Sequence, residues 1–202
     1  IMSFNIRIDV PGDGINIWNN RREGLAKLIQ YYEPGIIGFQ EVFSSQRTYL
    51  DSALVNYVNF GMGRDGNIES EAIPIFYDTT KYQLLENGTF WLSESEDTSS
   101  MGWDAAYPRI CTYGLFADKT TGKEFWVFNT HLDNKGDIAR VEGAKLILKK
   151  IEQLVKQNEP IIVMGDLNST PDSEPVKILK GKLSYAANIS DKGLYGPLGT
   201  HN

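Results

Sequence analysis

Five polar residues, far apart in the chain, share one kind of position. Asn5 lies in the apolar opening run, and Glu41 closes Ile36-Ile37-Gly38-Phe39-Gln40. His131 closes Phe125-Trp126-Val127-Phe128-Asn129-Thr130, Asp166 closes Ile161-Ile162-Val163-Met164-Gly165, and Asn168 follows two residues later. A charge at the end of a buried strand is costly unless it is paired or bound to a metal. Each residue alone has an ordinary reading: a surface turn for Glu41, a satisfied structural imidazole for His131, a simple turn for Gly165–Asn168. Taken together, they point to one shared pocket.

Their types suit the hydrolysis of a phosphate ester. Such an ester is anionic and repels an attacking water. A hard cation such as Mg²⁺ takes carboxylate oxygens and leaves room for water and phosphate. Glu41 suits that role, with the Asn5 amide oxygen close by. Asp166 can orient or deprotonate the water. Asn168 can donate to a phosphoryl oxygen or hold Asp166 in place. His131 can donate to the phosphoryl oxygen as charge builds, or act as a general acid. Glu71, just before Ala72–Tyr77, can orient the imidazole from its far nitrogen; its alternative is an exposed loop carboxylate.

The elements that must place these residues follow from pattern. Strands are expected over 1–8, 36–41, 55–62, 72–77, 82–86, 90–92, 109–117, 124–131 and 161–165. The pair 109–117 and 124–131 reads as a hairpin around Thr120-Thr121-Gly122-Lys123. A helix over 20–33 has Asn20 as cap, Glu23 as capping-box partner, and Leu25, Leu28, Ile29 and Tyr32 as its apolar stripe. Further helices are expected over 44–54, 137–157 (capped by Asp137) and 175–180. Residues 94–107 read as a long surface loop. Its flanking aromatics Trp91, Trp103 and Tyr107 are read as packing, with stacking on a substrate as the alternative. The last twenty residues are weakly patterned. Alternating strands and helices favour a layered α+β or α/β domain.

Bulk properties narrow the classes. The chain has 202 residues, 41% hydrophobic and 23% charged, which suits one globular domain. Its net charge of −6 and pI near 5.0 weigh against a general nucleic-acid binder. An anionic substrate therefore needs a metal ion or clustered Arg and Lys. The single Cys111 sits in an apolar run and reads as structural. No stretch reaches membrane-span length. No targeting segment is visible, and the compartment stays open between cytoplasmic and secreted.

The motifs Ser3-Phe4-Asn5-Ile6, Phe39-Gln40-Glu41, Glu71 before Ile75-Phe76-Tyr77, Asn129-Thr130-His131-Leu132-Asp133 and Gly165-Asp166-Leu167-Asn168-Ser169-Thr170-Pro171 occur in this order. In this combination the chain resembles the endonuclease/exonuclease/phosphatase superfamily of metal-dependent phosphoesterases. The resemblance covers residues 1–171. It implies an α+β fold: a four-layer α/β/β/α sandwich of two packed mixed sheets flanked by helices. It implies Mg²⁺ or Mn²⁺ and hydrolysis by an activated water. Glu41 becomes the metal ligand with Asn5 beside it. Asp166 and Asn168 surround water and phosphate, and His131 pairs with Glu71. Arg109 resembles a position that contacts substrate phosphate in some members; Arg7 and Asn134 are further pocket candidates. The superfamily pattern ends with a Ser-Asp-His motif that is not seen here. His201, in Gly199-Thr200-His201-Asn202, resembles the segment before it, so a single domain lacking its C-terminal strands is expected. The favoured substrate is a phosphorylated small molecule, sugar, inositol or lipid headgroup. The alternatives are a nuclease acting on DNA or RNA, and a non-catalytic binding module on the same fold.

Overall fold

The computed structural model describes residues 1–156 and 158–191; His201 and its segment lie outside them. In chain order the elements are β1 (Met2–Asn5), α1 (Trp18–Tyr32), β2 (Ile36–Gln40), α2 (Ser44–Ala53), β3 (Tyr57–Phe60), β4 (Ile75–Asp78), β5 (Tyr82–Trp91), β6 (Ile110–Asp118), β7 (Glu124–His131), α3 (Asp137–Leu154), β8 (Ile161–Asp166), α4 (Glu174–Lys180) and α5 (Ala186–Ile189). Two four-stranded sheets form, in the orders β1-β2-β4-β3 and β5-β6-β7-β8. Each is mixed, because β1/β2 and β7/β8 are parallel and the other pairs antiparallel. The expected α+β sandwich of two packed mixed sheets is the observed fold.

Strand alternation sorts the side chains into layers. On β2, Ile37 and Phe39 pack with Trp18, Leu25, Ile29 and Leu50 of α1 and α2. On β7, Trp126 and Phe128 pack with Leu146, Ile147 and Ile151 of α3. The alternate residues face the other sheet: Ile36, Ile75, Phe116, Val127 and Met164 form the central core. Following those inter-sheet faces two residues at a time leads to Gln40, Asn129, His131 and Asp166. The same alternation puts Ser3 and Asn5 of β1 beside them. The C-terminal ends of four strands therefore turn polar on faces that look at each other.

A buried amide pair joins the sheets under this polar end. The Gln40 Nε2 donates to Asn129 Oδ1 at 2.8 Å and to the Gly38 carbonyl at 2.9 Å. The Asn129 Nδ2 reaches the carbonyls of Phe39, Ile73 and Pro74 at 2.9–3.2 Å. Gly38 makes room for this, since a Cβ there would sit 2.6 Å from Asn129 Oδ1. Asn129→Leu strips those carbonyls and Gln40 of partners in a dry interior. The expected cost is about 2–4 kcal/mol, read as a lower urea midpoint at unchanged slope.

Several expectations are corrected. Helix α1 starts at Trp18, so Asn20 lies inside it, and its side chain reaches back to the Ile15 carbonyl at 3.0 Å instead of capping. Trp18 is buried and rotates the apolar stripe; Leu28 and Tyr32 are 40% and 64% exposed. The runs 82–86 and 90–92 are one strand, β5. Gly88, between the two runs, allows a close approach: a Cβ there would meet the Tyr113 ring. Strand β3 is shorter than 55–62, and α3 ends at Leu154. Asp137 is not its cap. The Asp104 carboxylate, from the long loop, accepts from Ala139 N at 2.7 Å and Ile138 N at 3.3 Å.

Candidate active site

Register places the site. His131 and Asp166 are cross-strand partners on parallel β7 and β8, and their side chains stand side by side. Asn5 pairs with Gln40, which puts Glu41 one residue beyond the end of β2. Glu41 has φ 62°, a left-handed conformation that a non-glycine residue adopts only under constraint. That kink folds its carboxylate back: Oε1 accepts from Asn5 Nδ2 at 2.8 Å and Oε2 from Ile8 N at 2.9 Å. The same Asn5 Nδ2 lies 3.0 Å from Asp166 Oδ2. One neutral amide thus serves two carboxylates from opposite sheets.

Asp166 is held from behind by the Asn168 backbone N–H on Oδ1 at 2.9 Å. Asn168 is itself left-handed, at φ 45°, and its Nδ2 donates to the Leu132 carbonyl at 2.9 Å. Asn168 therefore ties the turn after β8 to the end of β7. Gly165 lets the two strands approach, with φ 142° and no space for a Cβ against the Thr130 carbonyl.

The imidazole of His131 is buried between carboxylates. Nε2 faces Asp166 Oδ2 at 3.9 Å, and Nδ1 faces Glu71 Oε1 at 3.6 Å. Both separations exceed a normal hydrogen bond, so Nδ1 is a buried polar atom without a close partner. Glu71 is buried rather than an exposed loop carboxylate. Burial pushes its acid strength down, but the facing His131 and the Arg64 and Arg109 charges outweigh this and hold its pKa below the ordinary value. A crevice of about 10 Å³, roughly one water, is lined by Arg64, Glu71, Pro108, Arg109 and His131 among others. A wider depression, about 310 Å³ between Gln30, Leu54, Tyr57, Asp78 and Lys81, lies at the opposite strand ends and holds none of the candidate residues. The candidate residues gather at the tight end.

Arg109 is buried, donating from Nε to Asp133 Oδ2 and from a terminal nitrogen to Asn134 Oδ1, both at 3.2 Å. Asn134 is exposed and joins the site only through Arg109. The Arg7 guanidinium turns onto Asp13; its backbone N–H is what reaches Asn5 Oδ1, at 2.9 Å. Trp91 is buried packing, whereas Trp103 and Tyr107 are 36% and 43% exposed. Cys111 is fully buried and burial pushes its thiol up, which leaves it structural.

Residue-by-residue reading of the sequence did not single out Asp133, although it stands in a quoted motif. It is 1% exposed. Its Oδ1 accepts from Lys135 and Gly136 backbone N–H, and its Oδ2 from Ala106 N–H and Arg109. Burial works to raise its pKa, but these donors win and hold it down at about 2. A carboxylate depressed in the folded state stabilises above its ordinary pKa and loses that contribution as pH falls through the folded one. The protein should therefore lose stability between about pH 4 and 2 through this group. Asp133→Asn should be less stable at neutral pH, by roughly 1–3 kcal/mol, and should show a flatter acid limb when tryptophan fluorescence follows unfolding.

The donor set fits a hard cation. Glu41 and Asp166 offer carboxylate oxygens that share one amide donor, Asn5 Nδ2, while Asn5 Oδ1 accepts from Arg7 N–H. Among the described residues no group of three or more His, Cys, Asp and Glu side chains forms a ready metal cage.

Two mixed sheets back to back, with carboxylates, an amide and an imidazole gathered at their C-terminal strand ends, define an α+β sandwich hydrolase. The sequence profile of the Endonuclease/Exonuclease/phosphatase family matches residues 2–201. The chain belongs to that family. It is 31% identical over 190 residues to an uncharacterised protein of Acanthamoeba polyphaga mimivirus, covering 87% of this chain and 69% of the relative. Among solved structures, a family protein of Bacteroides vulgatus is 41% identical, with TM-score 0.86, covering 89% of this chain and 69% of that one. A Bacteroides thetaiotaomicron mannosyl-6-phosphatase is 40% identical, with the same TM-score and the same two coverages. Among the described residues no helix is long and apolar enough to cross a membrane.

Proposed function

We propose that this protein hydrolyses the phosphomonoester of a sugar, with water as nucleophile, at the Asn5–Glu41–His131–Asp166 cluster. The observation that carries the reading is convergence: Asn5 Nδ2 lies within 3.0 Å of carboxylates from both sheets, and the His131 imidazole stands 3.9 Å from one of them. Glu41, with Asn5 beside it, would hold Mg²⁺ or Mn²⁺, which when bound offsets the charge of the phosphoryl oxygens. The Asp166 side chain is 27% exposed, and its Oδ2 takes the proton of the attacking water. Its other oxygen is fixed by Asn168, so it meets the water in one orientation. In an in-line displacement the attacking and leaving oxygens lie on opposite sides of phosphorus, so the bond to the sugar oxygen breaks as the water oxygen bonds, and the leaving alkoxide takes a proton from solvent. His131 is too near Asp166 to serve the far side, so its Nε2–H donates to a phosphoryl oxygen as charge builds there. Arg109, locked by Asp133 and Asn134, supplies a fixed positive charge at the rim.

Two facts favour a sugar phosphate. The net charge of −6 opposes a polyanionic polymer, and a solved relative at 40% identity is a mannosyl-6-phosphatase. The test is phosphate release from a panel of mannose 6-phosphate, other hexose phosphates, inositol phosphates, sphingomyelin, a model diester and oligonucleotides, with and without divalent metal. A hexose 6-phosphate should turn over fastest. Preference for oligonucleotides with steep salt dependence would make the protein a nuclease. Turnover of nothing would leave a binding module.

A further inference from the structure

We infer that Arg64 is a positioning residue for His131, acting through Glu71; the inference rests on the catalytic role proposed above. Arg64 precedes Glu71 by seven residues, and a short antiparallel contact brings them back together. Arg64 N donates to the Glu71 carbonyl at 2.9 Å, and Ala72 bridges to Gly63 and Val42 on either side. The side chains then meet as well: a terminal nitrogen of Arg64 lies 2.8 Å from Glu71 Oε2. The other oxygen of that carboxylate faces His131 Nδ1. Arg64, Glu71 and His131 thus form a line that reaches the imidazole from the side opposite its Nε2.

The geometry of this line gives Arg64 more weight than a surface ion pair has. Its side chain is 19% exposed and that of Glu71 is 9% exposed, so water screens the contact little. Its guanidinium lies over the Tyr107 ring, 4.6 Å from the centroid, with Arg109 on the same ring at 5.7 Å. Its carbonyl accepts the Trp91 indole N–H at 2.6 Å and the Ser99 hydroxyl at 3.0 Å. Backbone, ring and carboxylate fix it from three directions.

The 3.6 Å gap between Glu71 and His131 makes this support necessary. No short hydrogen bond locks the imidazole, so its orientation depends on where the carboxylate sits. Arg64 makes the shortest contact to that carboxylate. Without it, Glu71 would be free to turn toward His131 or Arg109, and the imidazole would lose its fixed orientation.

The experiment is a double-mutant cycle joined to a spectroscopic readout. Arg64→Met should lower kcat on the best ester by about 10- to 100-fold, as a misplaced group does, with KM within about threefold. In a His131→Ala background the same change should cost less than about twofold, because residues that act as a unit are non-additive. Arg64→Lys keeps the charge and should recover most of the loss. Full additivity, or a loss carried by KM, would mean that Arg64 binds substrate itself, and the inference fails. The second readout needs no turnover. The chain has two histidines, so the imidazole nitrogen resonances of His131 can be assigned by their absence from His131→Ala. In the wild-type protein they should report one ring environment, and in Arg64→Met a mixture. Identical spectra would overturn the inference even if the protein hydrolysed no ester; a changed spectrum in an inactive protein would uphold the positioning while sinking the proposed reaction.

Discussion

His131→Ala is expected to lower kcat on a sugar phosphate by roughly 100- to 10,000-fold while leaving the fold intact. The size follows from the role: a positioned donor that meets charge only as it develops acts on the transition state and not on the bound ester. KM should therefore move little, and kcat and kcat/KM should fall together. The imidazole touches no other part of the core through a normal hydrogen bond, so its removal leaves no strong partner orphaned. What it does leave is Glu71, still held by Arg64 at 2.8 Å. Melting within a few degrees of the wild type is expected, measured beside steady-state phosphate release. Near-normal turnover would remove this imidazole from the mechanism.

Asp166→Asn should be equally damaging to turnover and should not harm stability. The substitution keeps the shape and can keep the Asn168 backbone contact. It removes the oxygen proposed to take a proton from the attacking water, so a fall of about 100- to 10,000-fold is expected. Stability should move the other way. Asp166 and Glu41 are like charges gathered around one amide of Asn5. Removing one relieves their repulsion, the usual exchange between activity and stability at a working site. A melting temperature equal to or above the wild type, with turnover nearly abolished, is the expected pair of results. A large loss of stability would recast Asp166 as a structural residue.

How much of this could be read beforehand depended on how far each signal travels along the chain. Apolar strands closed by Glu41, His131 and Asp166 are local signals. Strand alternation then placed those residues on inter-sheet faces, which is why residues 35 to 125 positions apart come together. Arg64, Asp104, Asp133 and the Gln40–Asn129 pair carry no such local mark. Asp104 lies in a polar loop, and its partners are the backbone N–H groups of Ile138 and Ala139. Asn129 reads as one polar residue in an apolar strand until Phe39, Ile73 and Pro74 supply its carbonyls. Helix α1 was shifted for a related reason: a pattern started at Asn20 omits Trp18, and the buried indole decides which face turns inward. Arg7 is the opposite case. The resemblance makes it a pocket candidate, but a left-handed φ of 60° turns its side chain to Asp13 and leaves only its backbone N–H in the site.

The account stands on one claim, that these strand ends gather around the phosphorus of an ester and bring water to it. Hydrolysis of mannose 6-phosphate in ¹⁸O-enriched water, followed by phosphorus NMR, tests this most directly. The expected product is inorganic phosphate carrying one ¹⁸O, formed only with Mg²⁺ or Mn²⁺ present and not by Asp166→Asn. Label in the released sugar, turnover indifferent to chelator, or no phosphate released from any ester of the panel would contradict it.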